Sequence, residues 1–505
     1  MRRRDFLGRV AVGTLGLAMG SWPRRASAAW GDYPAELAQF ALPESRRARN
    51  VLEIFLYGGI SPWETFYVVP EFGRPDDRDY PKQQWWTFQE GSDGIPALYA
   101  ECFGGAGEIL QPFGVDEAGR TVNLGPFTDP LRTRSDILAR LRMHVLRHAE
   151  LAHEVAVPLA VAGLLGTDRR LAGVGTAVQR HAIAHGWDEE PASYVLFNSG
   201  PVPAEFFYSS VATGLHPGST RPVSLRIAQD LPLAGQFRRE TVGDRAGAHD
   251  ALLAHYADRY GRRLTHRATG EAVRSVRFEE YRSTLGALAG VERLERILDG
   301  PLLAPASGVV CAEPQEFQPT LTALRAAVHL LRRPESRARH VSIFDLGATG
   351  QGYDTHNSHI RKSAILLSGF FRALVSVINE PGEGDPEKLD LDETLVVLNT
   401  EFGRAPVPEL APRDGTGLNH HPYGYCTVMF GGPVGADQRG IVGAIGPDAL
   451  ATSYLHPADT RAAVLTALGI YPFAADSYRP ADLQQDEDED EALDRLRSRV
   501  LGVPA

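Results

Sequence analysis

Cysteine is scarce in this chain, with three in 505 residues: Cys102, Cys311 and Cys426. Their spacing matches no paired-cysteine zinc motif, which excludes a cysteine-built zinc module. At most one disulfide can form, leaving one thiol over, and three buried thiols is the simpler expectation. Long apolar runs are missing too. Beyond the N-terminal segment no stretch approaches the roughly 18 apolar residues of a membrane span, which argues against an anchor in the rest of the chain. Positive charge is in deficit: 52 Lys and Arg stand against 63 Asp and Glu, a formal net charge of −11. An acidic chain is a poor partner for nucleic acid or an anionic lipid surface. No internal repeat, dinucleotide glycine motif or haem motif occurs, so a redox enzyme has no support in the residues. Gly (51) and Pro (35) together make about 17% of the chain. That is loop-rich, yet below the roughly 25–30% that signals disorder.

What is present begins with an address. Arg2-Arg3-Arg4-Asp5-Phe6-Leu7 is followed by an apolar stretch from Val10 to Met19, then Arg24-Arg25 and Ala26-Ser27-Ala28. This is a charged n-region, a short apolar h-region and a small-residue cleavage site. The apolar run is too short for the roughly 30 Å hydrocarbon core. Arg3-Arg4 before Asp5-Phe6-Leu7 resembles the twin-arginine signal, which a receptor reads. An ordinary secretory signal is the alternative. The expectation is a signal at 1–28, export by the twin-arginine machinery, and a periplasmic or secreted protein with no membrane anchor in its mature part. That route carries folded proteins, often with a cofactor already inserted. Removing residues 1–28 leaves 46 basic and 62 acidic residues, a net charge of −16.

Strand and helix signals alternate along the rest. Asn50 to Leu56 reads as a strand ending at Tyr57-Gly58-Gly59. An irregular insertion is expected over about 71–123, and a charged, Ala-rich helical lobe over about 245–299. Asp129 to Leu146 reads as helical, then strand-like from Met143. Ala192 to Phe197 reads as a further strand. Thr320 to Arg332 carries Leu321, Leu324, Val328 and Leu331 on one helical stripe. Strands follow at Val341–Phe344, Thr394–Leu398 and Cys426–Phe430, with helices at Asn357–Asn379 and Asp459–Leu468. Strands alternating with helices predict an α/β fold with a parallel, doubly wound sheet. One large domain is expected over 29–480 and an acidic tail over 481–505, its run Asp486 to Glu491 being a solvated linker or a helix start.

In such sheets ligands sit beyond the carboxyl ends of the strands, and polar residues gather there. Gly58-Gly59-Ile60-Ser61-Pro62-Trp63-Glu64 follows the first strand. Tyr353-Asp354-Thr355-His356 follows the strand at 341–344. Thr400-Glu401-Phe402-Gly403-Arg404 follows the strand at 394–398, and Asn419-His420-His421 precedes the strand at 426–430. Carboxylate oxygen with imidazole nitrogen suits a divalent ion of the zinc or manganese kind. Asp354 and His356 can reach one ion, with Glu401 and His420 or His421 completing the shell. Two ions would polarise an ester oxygen and activate the attacking group, and Arg404 could clamp an anionic oxygen. Taken singly, Asp354 also fits a helix N-cap, Glu401 with Arg404 a structural ion pair, and His420-His421 an exposed loop pair.

At these motifs the sequence resembles the domain-of-unknown-function 1501 family, a twin-arginine-exported branch of the alkaline-phosphatase superfamily, akin to sulfatases. The residues that carry the likeness are Phe55-Leu56-Tyr57-Gly58-Gly59-Ile60-Ser61 with Glu64-Thr65-Phe66, Gly352-Tyr353-Asp354-Thr355-His356, Thr400-Glu401-Phe402-Gly403-Arg404, and Asn419-His420-His421 leading to Met429-Phe430-Gly431-Gly432. Weaker matches are Glu150-Leu151-Ala152-His153 and Gly175-Thr176-Ala177. The resemblance implies an alkaline-phosphatase-like three-layer α/β/α sandwich with a mixed, mainly parallel sheet. It implies one or two divalent ions (zinc, manganese or calcium) held by Asp354 and His356, with Glu401 and one of His420 and His421 in or beside the site. The chain departs from the family in three places. Asn419-His420-His421 stands where the family often has Asp-His. Glu64, the nearest acid after the first strand, stands where many members have Asp and is a further candidate metal ligand. No sulfatase-like Cys/Ser-x-Pro-x-Arg nucleophile occurs; its counterpart by position is the helix start around His153, and Ser61 and Thr176 are further candidates. The expected function is an exported metal-dependent hydrolase of phosphate or sulfate esters, acting on a small or polymeric anionic substrate. A non-catalytic metal-containing binding or assembly protein is the alternative.

Overall fold

The stretch Asn50–Leu56, apolar except for Asn50 and Glu53, forms strand β1, and every residue in it is buried. In a computed structural model of the protein, residues 29–72, 95–104, 109–163, 173–186, 193–204, 206, 222–237, 244–264, 291–300, 303–347, 350, 352–409, 416–435, 438–474, 478, 486 and 488–504 are described. The expected signal at 1–28 and residues 265–290 of the helical lobe lie outside these residues. The remaining strands are β2 (Gln111–Val115), β3 (Thr121–Leu124), β4 (Arg142–Leu146), β5 (Tyr194–Asn198), β6 (Val223–Arg226), β7 (Gly308–Val310), β8 (Glu313–Gln315), β9 (His340–Asp345), β10 (Thr394–Asn399), β11 (Gly403–Pro408), β12 (Leu418–His421), β13 (Tyr425–Gly431), β14 (Gly440–Val442), β15 (Ala444–Ile445) and β16 (Ala451–Ser453).

Eight of these make the central sheet, in the order β14-β4-β13-β10-β1-β9-β5-β6. Neighbours pair in parallel except around β13, which runs antiparallel to both β10 and β4. The fold is therefore mixed α/β with a mainly parallel sheet. Side chains of a strand alternate between its faces, and the core divides accordingly. Val396 and Leu398 of β10, with Leu52, Ile54 and Leu56 of β1, enter one apolar cluster that includes residues of the helices Pro319–Arg332 and His359–Ser376. Leu395 and Val397, with Val51, enter another, formed with the helices Val174–Ala184 and Pro457–Ala467. Burial on both faces explains the uninterrupted apolar run Leu395–Leu398 of β10.

Two segments are more regular than their sequences suggest. Within the insertion expected at 71–123, Ile95–Phe103 is helical and β2 pairs with β3. Asp116 makes this turn, accepting the Ala118 and Arg120 N–H groups at 2.9 and 2.8 Å, as an Asx turn does. The C-terminal stretch packs on the core, and a helix starts within the acidic run Asp486–Glu491. Asp488 caps the helix Glu489–Arg495, whose first-turn acids suit the positive helix end. Leu493, Leu496, Val500 and Leu501 behind it are buried in the second core cluster. Cys102 and Cys311 form a disulfide and Cys426 is a buried thiol, in place of three buried thiols. Among the described residues no helix is long and apolar enough to cross a membrane.

The parallel arrangement has one consequence for function. The carboxyl ends of β1, β4, β9 and β10 open on the same rim, and the β11–β12 hairpin meets them there.

Candidate metal centre

Glycine lets the loops at this rim touch. Gly58, just past β1, has φ +111°, and a Cβ on it would lie 2.2 Å from the Asp354 backbone nitrogen. Any side chain would push the Asp354 loop away. The Gly58 N–H donates to Glu401 Oε1 at 2.8 Å, tying the end of β1 to the end of β10. Gly417 plays the same part in the hairpin, where a Cβ would meet the His356 carbonyl carbon at 1.9 Å. His153 is the first residue of the helix His153–Ala162, which follows β4.

Three imidazoles converge on Asp354, and each is anchored from behind. His153 Nδ1 donates to Glu401 Oε1 at 2.8 Å. His356 Nδ1 donates to Glu409 Oε2 at 2.6 Å. His420 Nδ1 donates to the Leu151 carbonyl at 2.7 Å. A neutral imidazole with its proton on Nδ1 carries a lone pair on Nε2. All three Nε2 atoms face Asp354: His356 and His420 lie 3.1 and 3.2 Å from Oδ1, and His153 lies 3.7 Å from Oδ2. The Nε2 atoms of His356 and His420 are themselves 3.1 Å apart. Lone pairs arranged in this way repel unless a proton or a metal cation lies between them. Ligand atoms at about 2.0–2.2 Å from one zinc-like ion sit roughly 3–3.5 Å from each other, which matches the triangle of Asp354, His356 and His420. Carboxylate or carbonyl groups behind ligating histidines are the usual means of fixing their tautomer and orientation. The donor set, two or three imidazoles with a carboxylate, therefore fits a divalent ion of the zinc class.

Charge points the same way. Asp354, Glu401 and Glu409 bring three negative charges, and Arg404 brings one positive charge. With all three imidazoles neutral the balance is −2, which one divalent cation would cancel; without a cation the same carboxylates draw a proton onto His153 instead. Burial pulls the His153 imidazolium down, but the Asp354 and Glu401 carboxylates more than reverse this and hold its pKa at about 9. Burial raises the Asp354 carboxyl, and His153, His420 and Arg404 together hold it well below the usual carboxylate range.

Arg404 does not sit where a substrate clamp would. It is fully buried. Its guanidinium donates to the Gly58, Gly59 and Leu418 carbonyls and to Asp354. It fastens three loops and fixes the Asp354 carboxylate. Glu401 likewise stands behind His153: its oxygens accept from Gly58, His153 and Thr400. His148 donates through Nε2 to the Glu401 carbonyl at 2.7 Å.

Strand alternation separates the paired histidines. In β12 neighbouring side chains face opposite ways, so His420 meets Asp354 while His421 donates to the Ala449 carbonyl at 2.8 Å on the other side. Glu64 makes no hydrogen bond to the cluster. It is buried with His359, 3.1 Å from its Nε2, while Thr355 Oγ1 meets the His359 Nδ1 at 2.6 Å. Among the described residues, Ser61 Oγ and Thr176 Oγ1 are both buried without a hydrogen-bond partner, so none of these residues places a base beside either hydroxyl. Sequence reasoning missed Glu409 and the Leu151 carbonyl. The β11–β12 register shifts between Arg404 and Pro408, and simple alternation from Arg404 therefore gives no guide to the side on which Glu409 falls.

No curated protein and no solved structure matches the chain. Residues 313–496, which carry Asp354, His356, Glu401, Arg404, Glu409 and His420 but not His153, match the family described as a protein of unknown function (DUF1501).

Proposed function

We propose that the chain is an exported, metal-dependent hydrolase of phosphate or sulfate esters, built on an alkaline-phosphatase-like sandwich. The observation that carries this reading is the convergence of three back-anchored imidazoles on Asp354 at the carboxyl rim of a mainly parallel sheet. Asp354 Oδ1 with His356 and His420 would hold one ion. Asp354 Oδ2 with His153 would serve a second ion or the substrate. A bound divalent cation supplies Lewis-acid chemistry, polarising an ester oxygen and easing attack on the phosphorus or sulfur. The chain's own residues supply the rest. Glu409, Glu401 and the Leu151 carbonyl hold the Nδ1 protons and keep the Nε2 atoms directed inward. Arg404 holds Asp354 in place. At the start of the helix His153–Ala162, Val155 and Ala156 already donate to the Ala152 carbonyl, and the His153 and Glu154 N–H groups before them would suit an anionic ester oxygen. The disulfide between Cys102 and Cys311 supports passage to an oxidising compartment, as the twin-arginine-like N-terminus predicts.

The second reading, a metal-containing binding or assembly protein, is favoured by one observation: among the described residues no base is hydrogen-bonded to Ser61 Oγ or Thr176 Oγ1. Elemental analysis of the purified protein, with hydrolysis assays on p-nitrophenyl phosphate and sulfate, separates the two. The hydrolase reading expects stoichiometric zinc, manganese or calcium, and activity lost in Asp354→Ala and His420→Ala. Stoichiometric metal with no turnover of either ester class favours the second reading. Only trace metal, with no activity on adding zinc, manganese or calcium, sinks both.

A further inference from the structure

A second group of ligand atoms lies away from this rim. His181 and His185 are four residues apart on the helix Val174–Ala184 and its C-cap, so they share one face. Their rings are 4.0 Å apart. Asp32, near the start of the described chain, reaches both: its Oδ1 is 2.9 Å from His185 Nε2 and 4.0 Å from His181 Nε2. One ligand atom from each of the three side chains lies within 4.8 Å of the others. The same lone-pair geometry recurs at this cluster. His185 Nδ1 donates to the His181 carbonyl at 2.7 Å, so a neutral His185 turns a lone pair toward a carboxylate oxygen. A cation between them resolves that arrangement. The side chains are partly open, Asp32 at 38% and His185 at 33%, so an ion can enter from solvent.

We propose that Asp32, His181 and His185 form a second divalent-metal site of the zinc class, which clamps the segment around Asp32 to the Val174–Ala184 helix. One carboxylate and two imidazoles leave a fourth position for water. The segment is already laid against this helix. Gly31 has φ +86°, and a Cβ there would sit 2.9 Å from the His181 ring. Arg180 lies over the Trp30 ring at 4.1 Å, and the Tyr471 N–H donates to the Gly31 carbonyl at 2.8 Å. An ion at Asp32 adds a bond across the same contact. This site shares no residue with the Asp354 cluster and does not depend on catalysis there.

The test uses the purified chain carrying Asp354→Ala and His420→Ala, stripped with a chelator and titrated with Co²⁺ alone. The expected result is one bound equivalent with tetrahedral visible absorption, and Co²⁺-dependent protection of the segment around Asp32 from limited proteolysis. His185→Gln and Asp32→Asn, both at partly exposed side chains, should each weaken binding roughly tenfold or more and remove the protection. Two results overturn the proposal: no binding in the Asp354→Ala/His420→Ala background, which leaves Asp32 and His185 as a plain ion pair, or binding that neither further substitution weakens. Loss of esterase activity with this binding intact would bear on the first site alone.

Discussion

Glu409 stands behind His356, on the side away from Asp354, so replacing it tests whether His356 is a ligand. The His356 Nδ1–H reaches Glu409 Oε2 at 2.6 Å. Glu409→Gln keeps an acceptor and removes the charge; Glu409→Ala removes both. Charge-assisted hydrogen bonds are roughly twice as strong as neutral ones, a difference of about 1 kcal/mol. Losing the partner behind a metal-bound histidine typically weakens binding about 10- to 100-fold. Expected losses in Zn²⁺ affinity are therefore about tenfold for Gln and approaching about 100-fold for Ala. The same numbers fix a stability readout. Free Zn²⁺ at about 100 times the wild-type Kd stabilises the wild type by about 2.7 kcal/mol, the Gln variant by about 1.4 and the Ala variant by about 0.4. Chelator competition measures the affinities, and denaturant unfolding with and without Zn²⁺ measures the stabilisation. If His356→Ala weakens binding while Glu409→Ala binds as tightly as wild type, Glu409 does not orient the ligand. If neither change matters, His356 is not a ligand and the centre as described is wrong.

Three further outcomes are expected. His144 is buried in β4, donating through Nε2 to the Val500 carbonyl at 2.9 Å, and burial with the nearby Arg142 lowers its pKa to about 3. Its depressed folded pKa means that the unfolded chain binds the proton first: the contribution is complete above about pH 6.5 and is lost toward pH 3 at up to about 1.4 kcal/mol per unit. Urea unfolding at pH 7.5, 6 and 5 should show a shallower pH slope in His144→Gln, and parallel slopes would refute this. The Cys102–Cys311 bond spans 209 residues, so its reduction should cost about 5 kcal/mol by chain entropy, seen as a lower denaturant midpoint with dithiothreitol. Leu496→Ala, at a fully buried position, should destabilise by about 2–5 kcal/mol, as a core residue would and a loose tail would not.

The local sequence determined the elements. The short, largely apolar runs at 394–398 and 50–56 form strands buried on both faces and the apolar stripe at 320–332 forms a helix, as their lengths and spacing predict, because apolar side chains leave water on whichever face their spacing aligns. It also brought into view most of the residues that meet at the rim, since ligands in parallel sheets gather beyond the strand ends. The sequence alone did not separate His420 from His421. Strand pairing in β12 decides that, by turning alternate side chains to opposite faces. Nor did it show that Arg404 and Glu401 hold other residues rather than face solvent, because their partners, Gly58, Leu418, His153 and Asp354, come from distant parts of the chain. Glu409 is the extreme case: its place behind His356 depends on an irregularity in a hairpin register and on a contact 53 residues away in sequence. Such contacts follow from how the whole chain packs, and no local pattern encodes them.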